Sequence, residues 1–135
     1  MISLSDYFGP HQECEDATPE RHEAAEAMLT KVNALLTEAE QFGVALEMNP
    51  STHTLISGQT FGGFRPQSCS VGAAHSSHKE GRAVDVYDPH GSLDRWISDL
   101  ILEKHDLYRE HPADTNGWCH LSDKAPASGK RTFHP

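Results

Sequence analysis

Two histidines and one aspartate, His78, Asp85 and His120, carry the chemistry that this sequence offers most clearly. His78 and Asp85 lie seven positions apart in SSHKEGRAVDVYD, residues 76 to 88, and His120 lies in GWCHLS. Gly81, Val84 and Val86 argue against a helix between the first two, so AVDVY reads as a strand. Along that strand Ala83, Asp85 and Tyr87 face one way and Val84 and Val86 the other. With the valines in the core, Asp85 projects from the sheet, and His78 sits on a preceding loop that Gly81 allows to fold back. Alternation in GWCHLS places Trp118, His120 and Ser122 on one face, with Cys119 and Leu121 in the core. Two imidazoles and a carboxylate from separate elements supply three ligands, the number a catalytic zinc uses while keeping a fourth position for water.

The elements that must position these groups follow from periodicity and punctuation. Residues 1–18 are rich in turn formers and polar groups and read as an N-terminal arm lying on a single domain, residues 19–135. Thr18 is placed to cap a helix with Pro19 at its first position, and Ala24, Met28, Val32, Leu35, Leu36 and Ala39 recur at helical spacing until Gly43. From Val44 to Phe64 the pattern becomes short strand-like pieces, VALEM, HTLIS and QTFGGF, broken by Asn49, Pro50, Gly58 and Gly62-Gly63. A second helix is expected in SLDRWISDLILEKH, capped by Ser92, with an apolar stripe of Leu93, Trp96, Ile97, Leu100 and Ile101. The sum is an α+β domain in which two helices pack on a small, mainly antiparallel sheet.

Composition narrows the function classes. A formal charge of -9 with only 11 Lys and Arg, and no basic stripe, excludes nucleic acid as the expected partner. No run of apolar residues is long enough for a membrane span, and MISLSDYFGPHQE lacks the cationic start and apolar run of an export signal. Cys14, Cys69 and Cys119 form no CxxC pair, so no structural zinc knuckle is indicated, and Cys69 and Cys119 have no base beside them in any recognisable pattern, so no thiol nucleophile is indicated. His53, His75, His90 and His111 read as solvated loop residues, His75 alone being near enough in sequence to support the site.

SSHKEGRAVDV resembles the SxHxxGxAxD motif of the M15-type zinc D-Ala-D-Ala peptidases, whose fold is shared with the Hedgehog signalling domain; Ser76, His78, Gly81, Ala83 and Asp85 match its five specified positions. GGFRP, with Arg65, is similar to that family's SGYR or SGFR element, and WCH, with His120, to the segment that supplies its last zinc ligand. The likeness runs from about Ser57 to His120, and the short arm and the ending SGKRTFHP resemble phage or prophage members.

The resemblance implies a Hedgehog/DD-peptidase-like fold with Zn2+ held by His78, Asp85 and His120, and Ser76 supporting the site. Arg65 would then hold a substrate carboxylate or stabilise a developing oxyanion, and Trp118 would wall the cleft. Read alone, Arg65 suits a structural ion pair equally well, and Trp118 a core or rim position. Many family members carry the base three residues before the last histidine, where this chain has Gly117; Asp114, six residues before His120, is the first candidate in its place, with Asp123 behind it.

The implied activity is hydrolysis of a peptide bond in bacterial peptidoglycan, as a D-Ala carboxypeptidase or an endopeptidase. The implied setting is a phage lysis enzyme in the host cytoplasm before lysis, or a peptidase within the virion beside other virion proteins. The alternative is a metal-binding structural or recognition domain of a virion that has lost hydrolysis, for which Gly117 speaks.

Overall fold

The computed structural model describes residues 1–68 and 76–135; Cys69 and His75 lie outside them. Regular structure begins earlier than the sequence reading expects. Ser3 caps a short helix, α1 (Leu4–Phe8), through a reciprocal capping box with Asp6, followed by a 3-10 turn at Gly9–His11. Ile2, Tyr7 and Phe8 are buried, so the N-terminal residues fill the core rather than merely lie upon it.

The long helix α2 spans Pro19–Gln41, with Thr18 as cap and Pro19 in its first turn. Its buried face is Ala25, Met28, Leu29, Val32, Leu35, Leu36 and Ala39, close to the stripe read from the sequence but with Ala25 in place of Ala24. The second expected helix is two: α3 (Ser92–Trp96) and α4 (Asp99–His105). Ile97 turns to extended backbone and Ser98 caps α4 by accepting from the Ile101 amide, which breaks the run and leaves Leu100 exposed on the surface. Asp88, rather than Ser92, satisfies the first amides of α3, accepting from Leu93 and Asp94.

Four strands, β1 (Ala83–Tyr87), β2 (Tyr108–Glu110), β3 (Trp118–Ser122) and β4 (Thr132–Phe133), form one mixed sheet in the order β1-β3-β2-β4. β3 pairs antiparallel with both β1 and β2, and β4 joins β2 in parallel. Val84 and Val86 are fully buried, as are Cys119 and Leu121, so the alternation turns one sheet face into the core cluster that also holds the buried residues of α2.

Residues 44–64 hold no regular strands, contrary to the expectation for VALEM, HTLIS and QTFGGF; they contribute only isolated bridges, Asn49 to Thr54 and Ile56 to Val86. The reason is where their hydrogen bonds go. Buried Asn49 donates through its side chain to the carbonyls of Ile56 and Gly58, and Thr52 and Thr54 hydroxyls take up neighbouring backbone groups. This loop covers the outer edge of β1: Tyr87 N–H donates to Leu55 O, Ser57 N–H to Asp85 O, and Asp85 N–H to Gly62 O. Among the described residues no helix is long and apolar enough to cross a membrane.

Candidate metal centre and cleft

The pairing of β1 with β3 sets Asp85 directly opposite His120. Pairing of β2 with β3 runs through Tyr108–Ser122 and Arg109–Leu121, and one further step along that register brings Glu110 beside His120 from the other side. Asp85, His120 and Glu110 therefore form a row across three strands, on the face opposite the core. His78 reaches the row from the turn before β1. There Gly81 adopts φ +74°, and a β-carbon at this position would stand 2.7 Å from Arg21 O, so only glycine fits. Ser76 Oγ accepts from the His78 amide at 3.3 Å and steadies the same turn.

Asp85 Oδ1 lies 2.8 Å from His120 Nδ1 and 3.2 Å from His78 Nε2. His78 and Asp85 are buried, and the His120 side chain is 12% exposed. His78 Nδ1 lies 2.8 Å from Gly63 O. A carbonyl and a carboxylate only accept, so a neutral His78 has one N–H for two acceptors. His78 Nε2, Asp85 Oδ1 and His120 Nδ1 converge on one point, a donor set that could hold a metal ion. The three atoms are mutually close enough to share one ion, and the spacings approach the roughly 3.3 Å between neighbouring ligands of a tetrahedral ion with bonds of about 2.0–2.1 Å. The bond to Gly63 O fixes the tautomer that leaves Nε2 free to ligate, the usual outer-shell device around a metal. Burial by itself would drive the Asp85 carboxyl up; the facing His78 and His120 outweigh it and hold the group well below the usual carboxylate range.

Arg65 is held by its Nε, which donates to Phe61 O at 2.8 Å, while Nη2 approaches Asp85 Oδ2 at 3.4 Å. It thus pairs with the carboxylate oxygen that the histidines do not use, and it also borders the cleft. That cleft, about 400 Å³, is lined by Arg65, Ser76, His78, Asp85, Trp118 and His120 together with Glu110 and Phe133. Trp118 forms its wall.

The structure does not bring the first candidate base to this cleft. Asp114 closes a 3-10 turn, Pro112–Asp114, and bonds His134 Nδ1 at 2.6 Å in an exposed group with His111. The His111 and His134 rings stack at 4.4 Å, and His111 uses its Nδ1 lone pair to cap Ala113 N–H. Asp123 lies elsewhere, paired to Arg82 at 2.9 Å. The carboxylate at the cleft is Glu110, whose Oε2 is 3.9 Å from His120 Nδ1. Burial pushes its carboxyl up and Asp85 and Asp114 add to that, with His120 and His78 opposing. Sequence reasoning missed Glu110, although pairing YRE antiparallel with WCHLS across the intervening turn would have put it opposite His120. His53 and His90 are exposed as expected.

No protein-family model, curated protein or solved structure matches this chain.

Proposed function

We propose that this chain is a zinc-type metallopeptidase acting on the peptide of bacterial peptidoglycan. The observation that carries the reading is the convergence of His78, Asp85 and His120 on one point with Glu110 beside them in an open cleft. A divalent ion at that point supplies Lewis acidity, polarising a carbonyl and lowering the pKa of water. The donor set fits zinc: two nitrogens and one carboxylate oxygen, with a position left over.

Glu110 takes the proton of the attacking water and hands it to the leaving amine, a role suited to a partly desolvated carboxylate at the cleft. Arg65 neutralises Asp85 and presents donors toward the oxygen on which charge develops. Trp118 and Phe133 flank the site and give the cleft apolar walls. Gly117, the one feature favouring a catalytically silent virion domain, loses its weight because Glu110 supplies from β2 the carboxylate that position 117 lacks.

Peptidoglycan as substrate, and a phage lysis enzyme or virion component as setting, follow from the motif resemblance of Ser76, His78, Gly81, Ala83 and Asp85. The deciding experiment pairs metal analysis of the purified protein with digestion of peptidoglycan fragments read by mass spectrometry. One bound zinc and peptide-bond cleavage that the Glu110→Gln variant abolishes are expected; zinc bound with intact fragments would instead assign the silent domain.

A further inference from the structure

One short segment, residues 62–65, is bonded to two of the three converging ligands. Gly62 O accepts from the Asp85 amide at 2.7 Å, and Gly63 O lies 2.8 Å from His78 Nδ1. The Arg65 amide donates to His78 O at 3.3 Å, and Arg65 Nη2 stands 3.4 Å from Asp85 Oδ2. The segment is itself fixed. Phe64 is fully buried with its amide on Tyr7 O, and a β-carbon on Gly62 or Gly63 would collide with Ser57 O or Tyr7 O. The guanidinium is aimed as well as anchored, because Nε is committed to Phe61 O at 2.8 Å and the side chain is 14% exposed.

The two oxygens of Asp85 therefore have separate partners. Oδ1 faces His120 Nδ1 and His78 Nε2, and Oδ2 faces the guanidinium. A carboxylate offers a cation either one oxygen or both. A tetrahedral ion takes one, whereas larger ions that favour oxygen, such as manganese(II), gain from the second. With Oδ2 held against a fixed positive charge, the centre presents two nitrogens and a single oxygen.

We infer that Arg65 is a positioning residue that keeps Asp85 a one-oxygen donor and so selects a small tetrahedral ion over larger ones. This rests on the metal site of the proposed function and adds to it what sets its selectivity. Loss of positive charge near the site strengthens binding of every divalent ion by about the same factor, so the ratio of two affinities isolates the geometry. The test uses the metal-free protein and its Arg65→Met and Arg65→Lys variants, the second of which keeps the charge and loses the planar fork. Competition against a chelator gives the zinc and manganese affinities, and the cobalt(II) absorption spectrum reports coordination, intense for a tetrahedral site and weak for a higher one. Wild type is expected to prefer zinc and to give the intense spectrum. In both variants the preference for zinc over manganese is expected to narrow by about 10-fold or more, the scale of losing a group that holds a ligand, and the cobalt band to weaken. A folded variant that keeps the wild-type ratio or the wild-type spectrum overturns the inference alone, as does a weak cobalt spectrum from wild type. Failure of wild type to bind zinc or cobalt overturns the metal-site reading and this inference together.

Discussion

Asp85 and His120 face each other across β1 and β3 as a register pair, with Oδ1 and Nδ1 2.8 Å apart. Two rigid strands thus carry two of the three converging ligands, and the pairing that builds the sheet also builds the site. Replacing Asp85 by Asn keeps the shape and removes the carboxylate charge. The expected result is a loss of zinc affinity beyond the roughly 10–100-fold typical of outer-shell changes. Competitive chelator titration measures it; unchanged affinity would remove Asp85 from the ligand set.

Glu110 and Asp114 separate cleanly by position. Glu110→Gln is expected to keep one zinc and lose about 10²–10⁴-fold in kcat, the usual range for removing a general base. Asp114→Ala breaks only the exposed contact with His134 and is expected to leave kcat within about twofold. Steady-state kinetics with zinc content measured on the same samples decides, and the reverse ranking would return the base to the position that the sequence suggested.

The parts legible in the sequence are those whose neighbours announce themselves. Val84 and Val86 alternate around Asp85, and Cys119 and Leu121 around His120, so both strands and their outward groups could be read without coordinates. Glu110 escaped because Tyr108, Arg109 and Glu110 are all half-buried and show no alternation; its place depends on register with β3, a non-local fact. The apolar spacing after β1 persists through Ile97 and predicts one continuous helix, whereas Ser98 as an internal cap decides the break. The loop 44–64 has strand-like residue types, but Asn49, Thr52 and Thr54 divert its backbone groups to side chains. At the N-terminus the Ser3–Asp6 capping box opens a helix of five residues, too short to show an apolar period among the turn formers around it.

Cys119 lies at the core side of β3, and burial pushes its thiol well above the ordinary range, with Asp94 adding to the shift. An ordinary thiol, with a pKa of about 8.5, ionises increasingly between pH 8 and 9. Because the Cys119 pKa is raised, its alkylation in the folded protein is expected to stay negligible across that interval, while half-buried Cys14 is modified. Peptide mapping after iodoacetamide treatment at pH 8 and 9 reads both sites; rapid labelling of Cys119 without unfolding would contradict its place in the core.

Gly63 serves the site by having no side chain. A β-carbon there would stand 2.1 Å from Tyr7 O, against backbone that cannot step aside, and Gly63 O is the acceptor that orients His78. Gly63→Ala is expected to cost about 3 kcal/mol or more, the upper range for forced overpacking, and to weaken zinc binding as well. Gly117→Ala is the contrast: nothing lies within 4 Å, and only its φ of +99° resists, for about 1–2 kcal/mol. Urea unfolding of both variants tests the order, and a Gly63 variant as stable as the Gly117 variant would overturn the steric account.

Tyr7 joins the N-terminal helix to the strand that bears Asp85, its hydroxyl donating to Ala83 O at 2.8 Å in the buried interior. Tyr7→Phe keeps the ring and leaves that carbonyl without its donor, at an expected cost of about 1–3 kcal/mol. Burial pushes the phenol well above its ordinary value. The sign follows from linkage: a raised folded pKa means the neutral form is favoured in the fold, so this stabilisation is fully present below about pH 10, the unfolded value, and declines as pH rises beyond it. The gap in stability between wild type and Tyr7→Phe should therefore be constant from pH 6 to 9 and narrow above pH 10, as the unfolded wild-type chain gains from ionising. Thermal unfolding across that range checks it, and a gap that widens in alkali would mean that Tyr7 is not held neutral against Ala83.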